Sequence, residues 1–143
     1  MRKEKKPMPK VTRIHHVAVV VDDMQKSLTF WRDALGLPLQ GTYDVSAMEA
    51  QVAFLPTGGS AIELVKPTSE DSGIAKFLAR RGPGLHHICV EVDNIQAMLD
   101  QLKNRGVRLI NDAPLTEADG RKYAFIHPES TNGVLVELYE ISG

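Results

Sequence analysis

A single cysteine, Cys89, is all the thiol chemistry this 143-residue sequence offers. No disulfide can close within the chain, and such usage fits a reducing cytoplasm. Long apolar runs are missing as well. No stretch approaches the roughly 18 residues of a membrane span, and the charged N-terminus has no apolar segment of a secretory signal. Neither sign of charge is in excess: 17 Lys and Arg against 18 Asp and Glu leave a net charge of −1. The chain as a whole therefore lacks the charge of a nucleic-acid or membrane-surface binder. The basic residues are uneven, however. Arg2, Lys3, Lys5, Lys6 and Lys10 crowd the first ten positions beside Pro7 and Pro9. That composition predicts a flexible, solvated tail over residues 1–11, with a weak anion-binding arm as the alternative. The remainder, 43% hydrophobic and 24% charged overall, is ordinary globular composition of one domain's length, over 12–141.

What is present is a duplication. Ile14-His15-His16-Val17-Ala18-Val19-Val20-Val21-Asp22 returns 71 residues later as Leu85-His86-His87-Ile88-Cys89-Val90-Glu91-Val92-Asp93. Each copy reads as a strand with a histidine pair at its start and an acidic stop at its end. A helix follows the first, from Met24 to Leu35, with Asp22 or Asp23 as N-cap, Leu28, Trp31 and Leu35 as its stripe and Gly36 as its stop. Strands are predicted over 37–43, with an irregular entry at Pro38, and over 49–55 and 61–66, the last two joined by a turn at Pro56 to Ser60. A connector at 68–83 holds a helix over 72–80. The second copy repeats the order. A strand covers 85–92, and a helix striped by Ile95, Met98, Leu99 and Leu102 ends at Gly106. Strands follow over 107–110, 122–127 and 134–139, with a polar loop at 113–121. The fold class is α+β: two tandem βαβββ modules, about 12–67 and 84–141.

The chemistry gathers at matched places. Each module ends in a strand with a carboxylate between apolar residues, Ile62-Glu63-Leu64 and Val136-Glu137-Leu138. A buried glutamate needs a compensating partner. One such residue could simply face solvent, and a lone strand histidine is usually a satisfied or surface group. Matched pairs in two copies favour a shared site. Neighbours on a strand face opposite sides, so one histidine per doublet points inward. His16 and His87 share faces with the small Ala18 and Cys89, which leaves room for a ligand; His15 and His86 point outward or stand behind the ligands. Two imidazoles and two carboxylates suit a borderline divalent metal such as Zn, Co, Ni, Mn or Fe.

With those residues in place, the sequence resembles the vicinal oxygen chelate superfamily, the glyoxalase/bleomycin resistance/dioxygenase group, from about Val11 to Glu140. Within it the likeness is to methylmalonyl-CoA epimerases. His16-Val17-Ala18, Glu63-Leu64-Val65-Lys66-Pro67, Asp71-Ser72-Gly73-Ile74-Ala75-Lys76-Phe77-Leu78, Gly84-Leu85-His86-His87-Ile88, Val92-Asp93-Asn94-Ile95, Phe125-Ile126-His127-Pro128 and Gly133-Val134-Leu135-Val136-Glu137-Leu138 carry it. The resemblance implies a glyoxalase-like fold, a curved mixed sheet around a metal site. One divalent ion (Co, Zn, Ni or Mn) would be held by His16, Glu63, His87 and Glu137. It implies an acyl-CoA substrate, a homodimer, and epimerisation by proton removal on one face and return on the other. Glu137 is the first acid/base candidate. Some members carry a glutamate in the third strand, and Glu49 is the candidate there. A lactoylglutathione lyase of the glyoxalase I type shares the ligand pattern. A ring-cleaving dioxygenase and a non-catalytic binding module are further alternatives.

Overall fold

The computed structural model describes residues 8–141; Arg2, Lys3, Lys5 and Lys6 of the expected basic tail lie outside that range. The order βαβββ occurs twice. The first run is β1 (Val11–Val20), α1 (Met24–Leu28), β2 (Gly41–Val45), β3 (Ala50–Pro56) and β4 (Ala61–Pro67). Helix α2 (Gly73–Arg81) comes next. The second run is β5 (Gly84–Val92), α3 (Ile95–Asn104), β6 (Leu115–Thr116), β7 (Lys122–Ile126) and β8 (Leu135–Glu140).

The chain divides into two compact units, Ile14–Ile88 and Met1–Arg13 with Cys89–Gly143. The cuts fall inside β1 and β5. In the unit Ile14–Ile88 the strands run β2-β3-β4-β1-β5. Antiparallel neighbours flank β3, and β1 runs parallel to β4 with Ala18 opposite Glu63. Each sheet face carries its own apolar cluster. Met24 and Leu28 of α1 cover Ala53, Leu55 and Leu64 on one face. Ile74 of α2, with Phe77 and Leu78, covers Ala18, Val20, Val52 and Val65 on the other. In the second unit the order is β5-β8-β7-β6, and Ile95, Met98 and Leu99 of α3 pack on Val92, Ala124, Ile126 and Leu138. The start of β1 belongs here: the Lys10 backbone exchanges hydrogen bonds with Asp93, at 2.9 and 3.1 Å.

Short polar side chains open the helices, at the first of them the Asp23 of the expected pair. Asp23, Ser72 and Asn94 each accept a backbone N–H three residues on, at 3.0 Å, which satisfies donors that helix geometry leaves open. Other expectations are corrected. The helix expected over 24–35 is α-helical only to Leu28 and continues as a π-helix over Thr29–Ala34, where Leu35 N–H reaches Phe30 O. Leu28 and Trp31 of the expected stripe still pack on the sheet, but the wider turn carries Leu35 off it, 54% exposed. Gly36 then takes φ +87°, a conformation that favours glycine. The second strand starts at Gly41, four residues later than expected. The segment 107–110 forms no strand among the described residues, only a bridge from Leu109 to Ile126, because the Arg108 N–H is taken by the Ser130 hydroxyl. The polar loop instead yields the short β6.

Candidate metal centre

The first histidine doublet sits midway along β1 and the second near the start of β5, and the next inward residue in each is small and buried: Ala18 after His16, and Cys89 after His87, each 0% exposed. The strand period puts them on one face. Glu63 is the cross-strand partner of Ala18, and the missing side-chain volume there lets it reach back to His16. Its Oε2 lies 3.0 Å from His16 Nδ1. The Nε2 atoms of His16 and His87 lie 3.2 Å apart, and both rings are buried. Three of the four expected ligands thus meet within the unit Ile14–Ile88. The fit to an ion can be tested on the paired nitrogens. With metal–nitrogen bonds of about 2.0–2.1 Å, nitrogens so spaced subtend about 100° at a shared ion, between octahedral and tetrahedral angles. Two histidine nitrogens therefore suit a divalent cation without rearrangement. Glu63 presently serves the opposite ring edge of His16; as a ligand it would have to turn toward Nε2.

Glu137 belongs to the other unit. It is 6% exposed on β8, opposite Phe125 of β7. A carboxylate so enclosed requires a counter-charge or hydrogen-bond donors. Two residues on, along the same strand face, stands a group the sequence reading missed. Tyr139 donates its hydroxyl to Glu117 at 2.8 Å, and Arg121 lies over its ring at 5.3 Å while pairing with Asp119 at 2.7 Å. Burial pushes the Tyr139 phenol well above its ordinary pKa, and the charge of Glu137 and the hydrogen bond to Glu117 add to the shift. Its place two residues after Glu137 was the available signal; the folding of the 113–121 loop over it was not readable.

Glu49 is not in β3. It sits in the turn before it, exposed, with left-handed φ 49°, ψ 52°. The strand expected over 49–55 therefore begins one residue after it, at Ala50. The Glu49 backbone is pinned on both sides, its N–H by Ser46 O at 3.1 Å and its C=O by Thr68 N–H at 2.8 Å. His127 accepts the Glu129 N–H on Nδ1 at 3.0 Å and so stabilises the turn at Pro128. His15 is not outward: it is buried, and its Nδ1 lies 2.8 Å from His16 Nδ1. His86 repeats that contact with His87, also at 2.8 Å.

The family model of the Glyoxalase/Bleomycin resistance protein/Dioxygenase superfamily matches residues 15–125. The chain belongs to that superfamily. Among curated relatives, the mitochondrial methylmalonyl-CoA epimerase of Mus musculus is 38% identical over 94% of this chain and 76% of its own length. The ethylmalonyl-CoA/methylmalonyl-CoA epimerase of Cereibacter sphaeroides is 36% identical over 92% of this chain and 99% of its own. A solved methylmalonyl-CoA epimerase in complex with methylmalonyl-CoA and NH4+ is 30% identical, with a TM-score of 0.85, covering 94% of this chain and 97% of that one. The likeness to methylmalonyl-CoA epimerases read from the sequence is thus matched in sequence and in fold. Among the described residues no helix is long and apolar enough to cross a membrane.

Proposed function

We propose that the protein is an isomerase that interconverts the two epimers of methylmalonyl-CoA, with one divalent cation (Co, Zn, Ni or Mn) held by His16, Glu63, His87 and Glu137. The observation carrying the metal reading is the 3.2 Å approach of two buried imidazole nitrogens. The epimerase relatives at 36–38% identity carry the substrate.

The reaction needs a weakly acidic C–H to ionise. Its proton lies between a thioester and a carboxylate, and the negative charge left behind spreads onto the thioester oxygen. A bound divalent ion supplies Lewis-acid stabilisation of that charge, worth several kcal/mol. The chain supplies the proton transfers. Glu137 takes the proton from C2 on one face as a general base. Glu49 returns a proton on the opposite face. Its pinned left-handed backbone costs on the order of 1–3 kcal/mol, the kind of strain that concentrates at functional positions. The working molecule is a cytoplasmic homodimer.

The test is direct. Protein loaded with Co²⁺ is given one epimer of methylmalonyl-CoA in D₂O, and the other epimer and C2 deuteration are followed. Conversion that stops on chelation and returns with metal is expected. No conversion with metal restored overturns the reading, and turnover of the methylglyoxal–glutathione hemithioacetal instead would assign a glyoxalase I-type lyase.

A further inference from the structure

We propose that His15 and His86, the first members of the two doublets, are positioning residues that lock the ring tautomers of His16 and His87 for metal binding. The proposal rests on the metal reading above. His15 Nδ1 lies 2.8 Å from His16 Nδ1, and His86 Nδ1 lies 2.8 Å from His87 Nδ1. Two imidazole nitrogens at that spacing share one hydrogen: one donates and the other accepts on its lone pair.

Glu63 sets the direction at His16. Its Oε2 stands 3.0 Å from the same Nδ1, and an ionised carboxylate only accepts. His16 therefore carries its hydrogen on Nδ1 and keeps a bare lone pair on Nε2. His87 has the matching contact in the second doublet, and its Nε2 faces that of His16 at 3.2 Å. The same assignment there aims both lone pairs at one point. Without an ion the two nitrogens can share one hydrogen at that distance; an ion bound there takes both lone pairs, so both rings must then carry their hydrogen on Nδ1. Metal ligation asks for just this arrangement: a neutral ring, Nε2 on the ion, and Nδ1–H donated to a fixed acceptor.

The acceptors are themselves held. His15 is 8% exposed. His86 is packed edge-on by Phe77 of α2 at 5.0 Å, and Arg81 lies over Phe77 at 5.5 Å. Glu63 gives His15 a further task. When Glu63 turns toward the ion, His15 keeps an acceptor at His16 Nδ1 and prevents the ring from flipping.

Two measurements test this. On zinc-loaded, ¹⁵N-labelled protein, two-bond ¹H–¹⁵N correlation spectra report each ring's tautomer. We expect hydrogens on Nδ1 of His16 and His87 and on Nε2 of His15 and His86; a hydrogen on Nδ1 of either outer histidine overturns the proposal. Affinity for Co²⁺ is then measured by competition with a chromogenic chelator. His15→Ala and His86→Ala should each weaken it about 10–100-fold. His86→Asn, whose amide oxygen accepts in place of Nδ1, should recover most of the loss. Unchanged affinity in folded alanine variants overturns the proposal, and the spectra of the wild type decide it if those variants do not fold. Wild-type protein that shows these effects yet leaves methylmalonyl-CoA untouched supports this inference while overturning the epimerase reading.

Discussion

Glu137 combines two properties that rarely coexist in a strand: it is 6% exposed, and it stands between the apolar Val136 and Leu138. A carboxyl enclosed there needs a cation or hydrogen-bond donors around it. Glu137→Gln keeps the shape and a ligating oxygen but removes the basic one. Turnover should fall about 10²–10⁴-fold while elemental analysis still finds bound metal; full activity would reject the base role. Glu49→Gln separates the second proton transfer from the first. With Glu137 intact, one epimer should still exchange its C2 proton for deuterium, while inversion is lost. Mass and circular dichroism of recovered substrate read the two events separately, and wild-type inversion would remove Glu49 from the mechanism. At this scale the sequence was informative because ligand chemistry is carried by residue type. Tyr139 escaped it because a tyrosine late in a strand looks like any core aromatic until Glu117 and Arg121 are seen around it.

Elements are set by periodicity where one apolar face is buried, and by competing hydrogen bonds where it is not. Helix α3 is the clear case: Ile95, Met98 and Leu99 fall on one face and all are buried. Leu99, 0% exposed, fills the centre of that contact. Leu99→Ala should cost about 2–5 kcal/mol through lost burial and the cavity left, read as a lower urea midpoint at unchanged slope. The failures have equally local causes. Beyond Leu28 the backbone bonds five residues back, and Leu35 is carried off the sheet. At 107–110 side-chain acceptors replace ladder partners. Before β3 a left-handed turn takes Glu49 out of the pleat. None of these choices alters composition or period, so none leaves a mark that a pattern detects.

For the molecule as a whole, the raised pKa of Tyr139 links stability to pH. The unfolded phenol loses its proton near pH 10, about where free tyrosine does, while the buried one keeps it. The proton is then bound only by the native state, so this contribution is complete below about pH 10 and declines as pH rises above it. Urea midpoints should fall on going from about pH 8 to about pH 11, and Tyr139→Phe should reduce that fall. An equal fall in the variant would show that other groups set the alkaline limit.

The sequence by itself determined the repeated βαβββ order, a cap for the first helix at Asp22 or Asp23, and the residues able to bind a cation. These depend on strand and helix period, on short polar side chains at helix starts, and on donor chemistry, all of which are local. Tertiary structure decided what each donor faces. It brought His16 Nε2 to His87 Nε2, set Glu63 against the far edge of His16, and buried His15 beside them. Those distances depend on strand neighbours 45 or more positions apart, and on the space that Ala18 leaves opposite Glu63. Nothing in a linear pattern fixes which ring edge a neighbour will meet; packing does.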